Sequence, residues 1–369
     1  MNLGFTTEHE LLRGELRKLL ALAQRHLPEA AGAGQPTDAA LWQALAAGGW
    51  LGSAVPEAHG GSGLEGAALC VLAEEAGRAL AAVPLVASAC AFSHALGAVA
   101  DHIAPQLWHA LAAGQARGLL LADEGWLTQP QLFADEGGAI RLAGRAQHVP
   151  DGPSATHALL LAGVDEDAAL ILATLAPTCK AAPAAQPLDL LHPCCDIDLA
   201  GAEAQVLARG RAAQALWQRA GDAHALFVAF EQLGGAEAAL EAARAYSLQR
   251  YAFGRPVGSF QALKHLMADV LVAIDLARSN CLFGMMALAD GGDTLGEAAA
   301  VARISATEAF RASAASSTQV HGAIGVTWEA DCHLYYRRAQ ALAGSPGSQW
   351  QWKDRLVRLL QQRAALATT

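Results

Sequence analysis

Apolar and polar positions divide the chain into three stretches. From residue 1 to about 112 the apolar residues recur at helical spacing. Leu11, Leu12, Leu16, Leu19 and Leu20 predict a first helix, and Leu41, Trp42 and Leu45 a second over about 39–48. Thr7-Glu8-His9-Glu10 has the spacing of a capping box, which makes Thr7 the expected N-cap with Glu10 reaching back. Ser53 to Gly63 is rich in Gly and holds Pro56, so it reads as a loop. A long apolar helix is expected from about Leu64 to Ala81, with Glu74 and Glu75 as its conspicuous acids. The stretch Leu80–Ala100 has no charged residue and is long enough to span a bilayer. Its Ala, Ser and Gly content, with Pro84 and His94 inside, makes insertion weak, so it reads as a buried helix rather than a membrane span.

Residues 113–208 change period. Short apolar runs, Gly118–Leu121, Ala158–Ala162 and Ala169–Leu175, are separated by turn-forming segments such as Asp135-Glu136-Gly137-Gly138 and Pro150-Asp151-Gly152-Pro153. Runs of that length bounded by turns predict a middle β-barrel-like domain, although Ala and Leu dominate where Val and Ile are the better strand formers. Residues 209–369 return to helical spacing. Long helices are expected over about 212–249, 260–288 and 294–319, and a last one after Gly347; breaks fall at Gly254–Gly258 and Gly291-Gly292-Asp293. The predicted fold is mainly α with a central β domain: an N-terminal helical domain (1–112), a middle β domain (113–208) and a C-terminal four-helix bundle (209–369).

Composition narrows the partners. Hydrophobic residues make up 53% and charged residues 16% of the 369, which excludes global disorder. The net charge of −10 argues against general nucleic-acid or anionic-membrane binding. Seven cysteines without a CxxC are poor zinc-ribbon or disulfide-framework material, and suit a reducing, cytoplasmic setting. Glu8, Glu10, Arg13, Glu15, Arg17 and Lys18 interrupt any signal-peptide core.

Two motifs carry the chemistry, with a third in support. The first runs from Arg250 through Tyr251-Ala252-Phe253-Gly254-Arg255-Pro256 to His265. The second is Gln319-Val320-His321-Gly322-Ala323-Ile324-Gly325-Val326-Thr327-Trp328-Glu329, and the third, weaker, is Val55-Pro56-Glu57-Ala58-His59-Gly60-Gly61. A guanidinium at a helix end, such as Arg250, can pair with a pyrophosphate. Phe253 offers a face to a planar ring, Gln319 an amide, and Gly322 close backbone approach. In this order and spacing the three motifs resemble the acyl-CoA dehydrogenase family along nearly the whole chain. The resemblance implies a flavoenzyme that binds FAD through Arg250, Phe253, Gln319, Gly322 and Ala323, largely across a subunit interface. It further implies an acyl-CoA substrate, an oligomer, and an electron-transfer flavoprotein or similar acceptor. Ala323 stands where the family usually has Gly.

Two places depart from the family pattern. The flavin-covering strand usually carries Thr-Glu-Pro; here Leu121-Ala122-Asp123-Glu124-Gly125 lies there, and Gln147-His148-Val149-Pro150-Asp151 occupies the next flavin-facing strand, where an aromatic residue and Ser or Thr are usual. The reaction implied by the family needs a carboxylate that removes the α proton while a hydride leaves the β carbon for the flavin. Most members carry that Glu in the loop after the last-but-one helix, where this chain has Leu342-Ala343-Gly344-Ser345-Pro346-Gly347-Ser348, with Pro346 at the base position. A smaller group carries it near the position of His224. Seven residues on, Glu231 stands among Phe227, Phe230 and Leu233 on nearly the same helical face. His224 and Glu231 are therefore the candidate displaced bases, with a buried structural acid paired to an Arg as the plainer reading of Glu231. Glu329 reads as structural, and His321 and His333 as packed or interface histidines. Three functions remain open: a dehydrogenase with a displaced base, a base-lacking partner subunit of a hetero-oligomeric dehydrogenase, and a flavin monooxygenase of the same fold.

Overall fold

The computed structural model describes residues 4–24, 38–121, 130–134, 140–163, 165–184 and 187–366. The chain opens with α1 (Thr7–Gln24), α2 (Ala39–Ala47), α3 (Gly66–Arg78), α4 (Ser93–Gly97) and α5 (Pro105–Ala112). Eight strands follow: β1 (Gly118–Leu120), β2 (Gln131–Ala134), β3 (Ile140–Ala143), β4 (Arg145–Pro150), β5 (His157–Ala162), β6 (Ala169–Thr174), β7 (Cys194–Asp198) and β8 (Glu203–Arg209). The C-terminal part holds α6 (Gly210–Gln249), a small hairpin of β9 (Tyr251–Ala252) and β10 (Arg255–Pro256), then α7 (Gln261–Asp290), α8 (Leu295–His321), α9 (Cys332–Leu342) and α10 (Gln349–Leu366). The mainly helical architecture around a central β region agrees with the pattern reading. Two compact units divide the chain: Met1–Gly32 with Cys70–Ala81 and Ala225–Thr369, and Ala33–Leu69 with Ala82–His224.

In the unit that holds the strands, one six-stranded sheet has the order β1-β5-β6-β8-β3-β2, and β4 pairs with β7 in a second sheet. Strands β5 and β6 are covered on both faces. Leu160 and Ile171 pack with Leu142 and Ile197, whereas Leu159, Leu170 and Leu172 pack with Phe92, Leu96 and Trp108. Two-sided burial explains why these runs are continuously apolar instead of alternating. In the same unit Asp38 caps α2: its Oδ1 accepts the Leu41 N–H at 2.9 Å. Asp38→Ala is expected to cost about 1 kcal/mol of stability, read as a shift of the urea midpoint; an unmoved midpoint would show that the cap carries no weight.

Two expectations need correction. The cap of α1 is Thr6, not Thr7: the His9 N–H donates to Thr6 Oγ1 at 3.3 Å and the Thr6 N–H donates to His9 Nδ1 at 3.2 Å. The reciprocal box is thus shifted by one residue, and an imidazole takes the place of the carboxylate. The apolar stretch 80–100 is not one helix. Leu80 has a positive φ of 50°, and the helical turns resume only after Pro84, as a π-helical segment Leu85–Phe92 that runs into α4. Proline has no N–H to continue a ladder, which fixes the restart. Among the described residues one helix, Gln261–Asp290, is long and apolar enough to cross a membrane by length and composition alone.

In the other unit, Glu74 and Glu75 are both buried. Arg13 Nη1 donates to Glu74 at 2.8 Å and to Glu75 at 3.1 Å, and Arg17 grips Glu75 through Nε at 2.8 Å and Nη2 at 2.6 Å. Arg278 donates to Glu74 at 2.9 Å and also pairs with Glu237, which Arg78 shares. Burial alone would lower the Arg278 pKa, but the carboxylates of Glu74 and Glu237 outweigh it and raise it. These charges tie α1 and α7 to α3 and α6. The two last helices cross backbone to backbone: a Cβ at Gly77 would stand 1.8 Å from the Glu231 carbonyl, and one at Gly234 1.9 Å from that of Glu74.

Candidate functional site

Helix α6 ends in a tight hairpin. The Arg250 N–H donates to Tyr246 O at 2.9 Å and its carbonyl accepts the Val257 N–H at 2.8 Å, so the backbone of Arg250 is tied on both sides while its side chain is exposed. Arg255 pairs with Ala252 and Pro256 with Tyr251. The two residues between, Phe253 (φ 53°) and Gly254 (φ 78°), are both left-handed, the geometry of a type I′ turn that matches strand twist. The turn holds Phe253 out with 94% of its surface exposed. Its ring meets Phe260 edge-on at 6.2 Å, and the Arg255 guanidinium lies 4.1 Å from the centre of Phe260. An exposed apolar ring on a hairpin whose Arg255 guanidinium lies over the neighbouring Phe260 is suited to a planar ligand or to a neighbouring chain.

The end of α8 forms the second element. Gln319, Gly322 and Ala323 are exposed there. Gly322 has φ 63° and ψ −136°, close to a region that residues with a Cβ avoid, and its N–H turns back to the carbonyls of Gln319 and Thr318. One contact joins this helix end to that of α6: the rings of Tyr246 and His321 stack at 4.3 Å. All five residues expected to face a cofactor, Arg250, Phe253, Gln319, Gly322 and Ala323, are thus exposed at the ends of α6 and α8 in the single chain.

The expected base region is arranged differently. Glu231 is 6% exposed, among the fully buried Phe227, Phe230 and Leu233, and its Oε1 accepts a hydrogen bond from Arg338 Nη1 at 2.9 Å. Arg338 is 1% exposed and also reaches the Ala81 carbonyl at 3.5 Å. This is the geometry of a buried ion pair. His224 lies in the other unit and is half-buried. Pro346 is buried, and its carbonyl accepts the Trp352 indole N–H at 2.7 Å. Nothing in the segment 343–348 has a proton-accepting carboxylate or imidazole.

Sequence reasoning missed Arg303. This guanidinium, 1% exposed, donates to the Leu342 and Ser345 carbonyls, the second at 3.1 Å, and to Gln232 Oε1 at 2.6 Å. It holds the end of α9 and the loop after it from inside. Its only trace in the sequence is a cation in the Ala- and Ser-rich run of α8, which also carries Arg311. His333 Nδ1 contacts the Ala330 carbonyl at 2.8 Å and its ring packs on Trp328 at 4.7 Å, whereas Glu329 and Asp331 are exposed. All seven cysteines are free. Burial pushes the Cys195 thiol up to about 11 and raises that of Cys281, so neither is a thiolate near neutral pH.

On the β side, most of the segment 121–125, with the turn 135–138, lies outside the described residues. Strand β4 carries His148 at φ 51°, within a register shift between Ala146 and Val149, and ends at Pro150, which has no N–H to offer a ligand edge. Among the described residues no group of three His, Cys, Asp or Glu is placed to hold a metal ion.

Helical stretches before and after a strand-rich middle stretch, with an exposed aromatic hairpin and a helix ended by Gly322, suit a flavin-dependent dehydrogenase. Residues 6–103 match the description "Acyl-CoA dehydrogenase, N-terminal domain" and residues 213–349 match "Acyl-CoA dehydrogenase, C-terminal domain". Acyl-CoA dehydrogenase IpdE2 of Mycobacterium tuberculosis is 33% identical over 313 residues, covering 83% of this chain and 82% of that protein. The chain belongs to the acyl-CoA dehydrogenase family. Acyl-CoA dehydrogenase FadE34 of the same organism is 33% identical over 333 residues, covering 88% of this chain; this chain spans only 43% of FadE34's length. Among solved structures, the ChsE4-ChsE5 complex from Mycobacterium tuberculosis has a TM-score of 0.85 at 26% identity, covering 98% of this chain and 99% of that one. A Tcur3481-Tcur3483 steroid ACAD variant has a TM-score of 0.83 at 28% identity, covering 97% and 99%.

Proposed function

We propose that this chain is the base-lacking half of a two-chain, FAD-dependent acyl-CoA dehydrogenase acting on a bulky acyl-CoA of the steroid side-chain class. The observation that carries the reading is the buried Pro346 at the family's base position, with Glu231 already engaged by Arg338. Two further facts support it. FadE34 is more than twice as long as the stretch that matches this chain, leaving room for a second such unit. The two fold neighbours above are both named as pairs of proteins.

In this reading the chain lends an edge to a flavin whose other contacts come from the second chain. Arg250 pairs with the pyrophosphate, Phe253 covers an apolar face, and Gln319, with the backbone opened at Gly322 and Ala323, supplies the remaining polar contacts. FAD, when bound, accepts the hydride that leaves the β carbon of the substrate. The second chain supplies the carboxylate that takes the α proton. An electron-transfer flavoprotein in the cytoplasm is the proposed acceptor. The chain's own β4 fits a flavin poorly, because Pro150 can donate no hydrogen bond there.

The test is affinity capture of the tagged chain from its own cells. A co-purifying family member with Glu in the base loop, and one FAD for every two chains, is expected. A homo-oligomer with one FAD per chain and full turnover would overturn the reading; oxygen uptake driven by NADH would favour a monooxygenase instead. In the captured assembly, Arg250→Ala is expected to weaken FAD retention by about 1.5–3 kcal/mol, the worth of a charge-assisted pair. Flavin release followed by fluorescence measures it, and unchanged retention would reduce Arg250 to a helix end.

A further inference from the structure

We infer that His321 is a positioning residue for the flavin edge: its stack on Tyr246 sets the two cofactor-facing helix ends in register. The inference rests on the reading that Arg250 and Gln319 face FAD. Tyr246 stands on the last turn of α6, and its carbonyl receives the Arg250 N–H at 2.9 Å. His321 is the last residue of α8, two after Gln319 and directly before Gly322. The rings lie 4.3 Å apart and within 26° of parallel.

The imidazole is anchored as well as stacked. Its Nδ1 is 2.8 Å from the Ser317 carbonyl. A carbonyl only accepts, so Nδ1 carries the proton, which fixes the tautomer and the ring plane. The hydrogen bond to Ser317 lies within α8 and fixes the ring on its own helix. One face of the ring is then committed to Tyr246, and the helix end that carries Gln319 cannot turn relative to α6 without breaking the stack. The hairpin on the other side has its own brace in Phe260. The Tyr246–His321 contact therefore transmits the position of one helix end to the other. Neither ring need touch the cofactor.

The experiment compares three variants of the assembly captured from its own cells: His321→Leu, His321→Phe and Arg250→Ala. Leu keeps much of the volume and loses the face; Phe keeps the face and loses only the Nδ1–H anchor. With melting temperatures measured on each, His321→Leu is expected to speed FAD release roughly 3- to 10-fold, the worth of an aromatic pair, and His321→Phe to restore most of that loss. If Arg250→Ala speeds release and His321→Leu does not, the inference falls while the flavin-edge reading stands. If His321→Phe is as impaired as His321→Leu, with equal melting temperatures, the stack is not the device and the inference falls. If Arg250→Ala leaves release unchanged, the reading itself fails and takes the inference with it.

Discussion

Purified without a second chain, the protein is expected to dehydrogenate straight-chain acyl-CoAs about 10²–10⁴-fold more slowly than an assembly containing a Glu-bearing partner, the usual worth of a general base. A proline side chain has no basic group to take the α proton, and the loop 343–348 holds no carboxylate or imidazole. Nor can that loop swing freely to recruit one, because Arg303 holds the Leu342 and Ser345 carbonyls from inside the bundle. A turnover assay with an artificial electron acceptor, on the chain alone and with the co-purified chain, measures the difference. Glu231→Gln and His224→Gln are expected to leave the assembly's rate per bound flavin within a few-fold of wild type. Fast turnover by the lone wild-type chain that vanishes in His224→Gln would instead make the imidazole a displaced base. Fast turnover untouched by either change would mean that the base lies elsewhere on this chain.

Arg338→Ala is expected to destabilise the protein by about 3–5 kcal/mol, because it leaves the Glu231 carboxylate buried without its guanidinium. Joint replacement of the pair, Glu231→Leu with Arg338→Met, should recover most of that loss, since a well-packed apolar pair avoids the desolvation of two charges. Urea unfolding followed by tryptophan fluorescence reads both. A loss under about 1 kcal/mol for Arg338→Ala would show that Glu231 does not depend on it, and would return the carboxylate to the list of groups available for proton transfer.

The α-β-α order of the chain and the extents of its longest helices were legible because they depend on local rules, whereas the cap of α1 and the break between Leu80 and Pro84 were misread. Helical spacing marked α1, α6, α7 and α8, and the runs 118–121, 158–162 and 169–175 fell on β1, β5 and β6. Motif order alone pointed to the family, since a hairpin of Phe-Gly and a helix ended by Gly322 follow from backbone preferences written into a few residues. The absence of a carboxylate from the loop 343–348 was equally a matter of sequence.

Which charges meet was decided only by tertiary structure. Glu231 and Arg338 are 107 residues apart, and Arg303 reaches a loop 39 and 42 residues away. Periodicity places each on a face, but a hydrogen bond of 2.9 Å depends on how α6, α8 and α9 pack, which no local pattern encodes. The same holds for the stack of Tyr246 on His321: His321 sits inside the second motif and reads as a packed or interface histidine, and nothing in the sequence singles out Tyr246. Sequence determines which groups a chain owns; packing determines which of them are held against one another in a medium where an unpartnered charge is too costly to keep, and hence which remain free for chemistry.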